Sequence, residues 1–183
     1  MSLASLVRLL QLASPALPVG AFSYSQGLES AIESGRVHDR ASAARWVGDL
    51  LGATVARMEA PIILRLAAAW SRGDREAARR WNDELLAGRE TSELRAETLQ
   101  MGYSLRALLR ELGFEGVEAL DAMEEIAYPT AFAFAANAWE IDPREALAAY
   151  LFAWVENQVT AALKAMPLGQ TQSAGRSTLE PSP

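Results

Sequence analysis

Periodicity narrows the possible folds more than any other feature of this chain. Apolar residues recur at three- and four-residue spacing over most of its length, and no segment of strand length alternates with period two. Leu3, Leu6, Val7, Leu10 and Ala13 form one such face, which Pro15 stops. Ser23 or Ser25 can cap a short second helix that carries Leu28, Ala31 and Ile32 and ends at Gly35. Asp39 caps a third, with Trp46, Val47, Leu50, Leu51, Val55 and Met58 in a stripe that kinks or restarts at Pro61 and continues to Gly73. Asp74 caps the next, closed by Gly88, and a further helix runs from about Ser92 to Gly113. A shorter helix is expected over 117–127, then one over 130–139 with Pro129 in its first turn. Asp142-Pro143-Arg144-Glu145 sets a capping carboxylate, a first-turn proline and a third-position glutamate in register. The helix it opens is apolar all round from Ala146 to Val155, which predicts a buried central helix. The fold expected is all-α, a single-domain helical bundle around that C-terminal helix.

Length and charge bound the function. The 183 residues fit one domain, and a content of 50% hydrophobic and 22% charged residues is that of a globular chain. A net charge of −6 with no concentrated basic patch argues against nucleic acid, since the basic run at 72–80 is interleaved with Asp74 and Glu76. No apolar run approaches the roughly 20 residues of a membrane span. The absence of cysteine fits a reducing compartment, so a cytoplasmic location is expected.

Residues able to do chemistry are few. Ser25 lacks the glycine two positions earlier that a strand-to-helix nucleophile turn needs, and His38 is the sole histidine. The sole lysine, Lys164, follows no glycine-rich phosphate loop. With one histidine and no cysteine, a tight transition-metal site would need carboxylates, and Asp121, Glu124 and Glu125 read as a solvated face. No catalytic residue, bound cofactor or metal ligand is therefore assigned, and the chain is expected not to be an enzyme. Polarity does appear where it is costly. Glu156, Asn157 and Gln158 follow ten apolar residues within one helix, so at least one must face the packed side and find a partner there.

Two segments punctuate the helices. Pro15-Ala16-Leu17-Pro18-Val19-Gly20-Ala21-Phe22-Ser23-Tyr24-Ser25-Gln26-Gly27-Leu28-Glu29 holds two prolines, two glycines and two aromatics. Its prolines and glycines shape a turn; Phe22 and Tyr24 can pack that turn onto the core, leaving Gln26 and Glu29 to face outward. Near the other end, Met166-Pro167-Leu168-Gly169-Gln170-Thr171 terminates the last helix.

Taken with Leu9 to Ser14 before it, the first segment resembles the N-terminal signature of the urease accessory protein F (UreF) family. The resemblance continues in Arg89-Glu90-Thr91 with Glu93-Leu94-Arg95, in Trp154-Val155-Glu156-Asn157-Gln158-Val159, and in Lys164 to Thr171. It covers about Leu6 to Thr171, and four separated blocks in the same order make it specific. What it implies is an all-helical, dimeric adaptor without catalysis of its own. Such an adaptor bridges the urease accessory GTPase (UreG) and the accessory protein UreD/UreH, and regulates the GTPase while nickel passes through the complex into apo-urease. Glu29 and Lys164 match polar residues that the family associates with its GTPase-facing surface. The same resemblance implies partner-binding roles for Tyr24, Gln26, Gly27, Glu156, Asn157, Gln158, Gly169 and Gln170. The family usually continues past the Gly-Gln-Thr segment into a further helix and a tail that docks the partner nearest urease. Residues 172–183 depart from that pattern, so 1–171 is expected to be the UreF-like domain and 172–183 a divergent, disordered tail with weakened docking. A helical interaction module unrelated to urease is the competing reading.

Overall fold

The computed structural model describes residues 2–20 and 27–166, and every regular element among them is helical. Helix α1 (Leu3–Leu12) starts on Ser2, whose hydroxyl accepts from the Ser5 N–H at 3.0 Å. Helix α2 (Leu28–Glu33) follows Gly27, whose φ of 84° is the left-handed conformation that glycine alone adopts freely. The serine caps expected for it lie outside the described residues. Helix α3 (Arg40–Leu50) opens on a capping box in which Asp39 and Ser42 each accept the other's backbone N–H.

At Pro61 the chain neither breaks nor simply kinks. Leu51–Glu59 winds as a π segment, with the Ala60 N–H reaching the Val55 carbonyl, and helix α4 (Ala60–Ser71) takes the proline into its first turn. Proline removes an N–H and crowds the carbonyl four residues back, and the wider winding relieves both. The Thr54 hydroxyl takes up part of the slack, donating to the Leu50 carbonyl at 2.6 Å. Helices α5 (Arg75–Ala87) and α6 (Ser92–Glu111) start on side-chain caps from Asp74 and Thr91. Helix α8 (Tyr128–Ala138) and helix α9 (Pro143–Ala165) complete the bundle, the latter capped by Asp142.

Two expectations are corrected. The helix foreseen over 117–127 shrinks to α7 (Glu118–Asp121), because side chains take the carbonyls that a longer helix would use. Arg106 donates to Leu120 and Met123, Arg79 to Ala122, Tyr103 to Glu124 and Asn82 to Glu125. The central helix is α8 and not the C-terminal one: 129–136 is buried without a break, whereas α9 leaves Phe152 64% exposed. Alanines at 131, 133, 135 and 136 give α8 a thin profile, so α4 and α6 close on it from both sides. Trp70 and Phe134 meet edge to face at 5.3 Å between α4 and α8, and the Trp70 indole N–H donates to the Thr130 carbonyl at 3.3 Å. The all-α expectation stands.

Candidate functional site: a buried charge lock and two exposed faces

Glu59, at the end of the π segment, projects into the core between α4, α6 and α9. Arg89 Nη1 donates to its Oε1 at 2.6 Å, and the Tyr150 hydroxyl donates to its Oε2 at 2.5 Å. Side-chain exposure is 6% for Glu59 and 10% for Arg89, so this ion pair works in a low dielectric. Burial opposes the Arg89 charge, but Glu59, with Tyr150 and Glu97 behind it, outweighs that and holds the guanidinium even more firmly protonated than usual. Burial first, and Glu59 second, pushes the Tyr150 phenol well above its ordinary range.

A cavity of about 70 Å³ adjoins the pair, with Leu94, Glu97, Thr98, Trp154 and Asn157 among its walls. Arg89 and Leu94 come from the second block of the sequence resemblance, Trp154 and Asn157 from the third. Blocks 60 residues apart thus line one cavity. Both oxygens of Glu59 are engaged, so it is not poised as a base or a metal ligand; it locks the π segment, the turn after α5 and α9 together. Sequence reading missed Glu59 and Tyr150. The available signal was register: Val55, Glu59 and Ile63 stand four residues apart, which puts a carboxylate on the buried stripe.

Asn82 was missed in the same way, between the buried Ala78 and Leu85. Its amide donates to the Glu125 carbonyl and accepts from the Ala127 N–H, both at 2.9 Å, fixing the entry to α8. Arg95, also from the second block, pairs with Glu125 at 2.5 Å, while Arg110 and Arg106 face Asp121. The acidic face read at 121–125 is therefore partly neutralised, with Glu124 left exposed.

Of the partner-binding residues implied by resemblance, Tyr24, Gln26, Gly169 and Gln170 lie outside the described residues, as do Phe22, Ser25 and the 172–183 segment. Gly27 and Glu29 are exposed at the start of α2, and Lys164 is exposed in the last turn of α9. Helices α2 and α9 pack on each other, sharing a small apolar cluster with Val37 and Ala43 of the α3 region. Elements of the first and last blocks therefore adjoin. Asn157 and Gln158 are buried and Glu156 is half-buried, in accord with the expected polar intrusion. The expected partner is missing in one case: Gln158 is 0% exposed, and neither its Oε1 nor its Nε2 meets a hydrogen-bonding group.

A second exposed face is apolar. Leu3, Val7 and Leu10 of α1 and Phe152 of α9 are exposed. The groove between the two helices is lined by Leu9, Leu10, Ala148, Ala149 and Phe152 together with Glu145 and Glu156. His38 is exposed and its Nδ1 lies 3.1 Å from the Gly35 carbonyl. Among the described residues no three His, Cys, Asp or Glu side chains gather in a metal-binding group, and no helix is long and apolar enough to cross a membrane.

The described residues form an all-helical protein with a buried ion-pair lock and exposed polar and apolar faces. The UreF family model matches residues 37–175. The urease accessory protein UreF of Azoarcus sp. (strain BH72) is 58% identical over 179 residues, which cover 95% of this chain and 76% of that protein. UreF of Dechloromonas aromatica (strain RCB) is 53% identical over 90% of this chain and 74% of its own length. That of Delftia acidovorans (strain DSM 14801 / SPH-1) is 52% identical over 98% and 78%. The chain belongs to the urease accessory protein UreF family.

Proposed function

We propose that this chain is an adaptor in urease maturation. It bridges the accessory GTPase UreG and the accessory protein UreD/UreH, regulates the GTPase, and so serves nickel insertion into apo-urease in the cytoplasm. The observation that carries the reading is the face made by α2 and the end of α9. Glu29 and Lys164, the two positions that the resemblance ties to the GTPase, are both exposed on these packed helices, and Gly27 is exposed at the start of α2. Nickel is cargo in this account and needs no resident ligand set here. The test is activation of apo-urease by nickel with the GTPase and UreD/UreH present. Adding the chain is expected to raise the yield of active urease; an unchanged yield overturns the reading.

The adaptor acts as a homodimer through the α1/α9 apolar face. Exposed Leu10 and Phe152 border the groove between α1 and α9, and pairing with a second copy across a two-fold axis buries them.

A further inference from the structure

Among the described residues, buried apolar side chains form two clusters. The larger is built on α4, α5, α6, α8 and the first half of α9; the smaller consists of Leu28, Ala31, Val37, Ala43, Ala162 and Met166. Their boundary can be placed on both helices that cross it. In α3, Trp46 packs on the smaller cluster, while Val47 and Leu50 pack on the larger. In α9, Trp154 belongs to the larger and Ala162 to the smaller, with Gln158 four residues from each on the same face. Both crossings carry buried polar atoms without partners, the Gln158 amide and the Trp46 indole N–H. Apolar packing is therefore interrupted where the clusters meet, and each unpaired group favours a state in which water reaches it.

Within the smaller unit, hydrogen bonds close the turn between α2 and α3. The Val37 N–H donates to the Ala31 carbonyl, the His38 N–H to Ser42 Oγ and the Ser42 N–H to Asp39 Oδ1. The chain leaves this unit along continuous helix, in α3 beyond Trp46 and in α9 before Val159, so its boundary is set by packing and not by a break in the backbone. We propose that residues 27–46 and 159–166 open and close as one unit against the rest of the protein by local unfolding, with Trp46 and Gln158 at the seam. Gly27, Glu29 and Lys164 all ride on this unit, so a partner gripping them together selects its closed form; this last clause rests on the adaptor reading.

Hydrogen exchange read by mass spectrometry on the whole chain tests the unit. Amides of α2, of 43–46 and of 159–166 are expected to share one opening rate, about tenfold or more faster than those of α4, α6 and α8. Gln158→Met keeps the volume and removes the unpaired amide, and should slow exchange in both segments about fivefold or more without slowing α4 or α8. Exchange of these segments at the rate of α8, unlinked rates in the two segments, or equal slowing everywhere by Gln158→Met would each overturn the proposal. Addition of the accessory GTPase is expected to protect both segments. Protection of neither, with the unit otherwise observed, overturns only the partner clause.

Discussion

Glu59 meets two donors, and removing either leaves a different deficit. Arg89→Ala strands a buried carboxylate and is expected to cost about 3–5 kcal/mol in denaturant unfolding, whereas Glu59→Met with Arg89→Met together comes near neutral. A loss below about 1 kcal/mol for Arg89→Ala would show the pair to be solvated. Tyr150 and Tyr128 add a pH signature, since burial raises both phenols above their ordinary value of 10.0. The folded state keeps those protons where the unfolded chain would release them. Their contribution is complete below pH 10.0 and is lost as pH rises toward the raised values. Phenolate absorbance should then show Tyr128 and Tyr150 ionising only with unfolding; their ionisation in the folded state in their ordinary range would contradict the burial. Gly102 is a different case. A Cβ there would stand 2.1 Å from the Ile126 carbonyl oxygen, in a segment pinned by Asn82 and Thr98. Gly102→Ala should lose about 1–3 kcal/mol in thermal unfolding despite the better helix propensity of alanine; a gain would mean the 123–127 segment yields easily. None of these three partnerships was legible in the sequence, because each joins residues at least 24 apart and periodicity reports only neighbours on one helix.

At the scale of elements, much more could be read beforehand. Asp39, Asp74 and Asp142 each cap the helix predicted from them, because a capping side chain and the N–H groups it satisfies lie within three residues. Pro61 announced a disturbance but not its form, since relief by a π segment depends on how α3 and α4 are held by other helices. The apolar run of α9 was read as buried on every side, yet a helix at the edge of a bundle can be apolar all round when one side meets another chain. That consequence is testable. Phe152→Asp should convert a dimer to a species with the mass of one chain in sedimentation equilibrium, with helical circular dichroism unchanged. A dimer that survives the substitution, or a wild-type chain that is already monomeric, would place the interface elsewhere or remove it.

For the molecule as a whole, the division of labour follows from where charge sits. Charge at Glu59 and Arg89 is buried and fixes the helices, whereas charge at Glu29 and Lys164 is exposed. Sequence blocks that look alike in a linear reading thus separate in three dimensions: the second and third meet around a cavity, while parts of the first and last meet on a surface. Sequence alone could not make that separation, as a glutamate in a structural lock and one on a docking face are the same residue until the neighbours are known. Sedimentation velocity of this chain mixed with the accessory GTPase and its nucleotide tests the adaptor account most directly. The wild type is predicted to sediment with the GTPase as one complex, and the combined Glu29→Lys and Lys164→Glu variant to sediment apart from it while keeping its fold. Wild-type chain that sediments independently of the GTPase, or a variant that binds as well as wild type, would contradict the account.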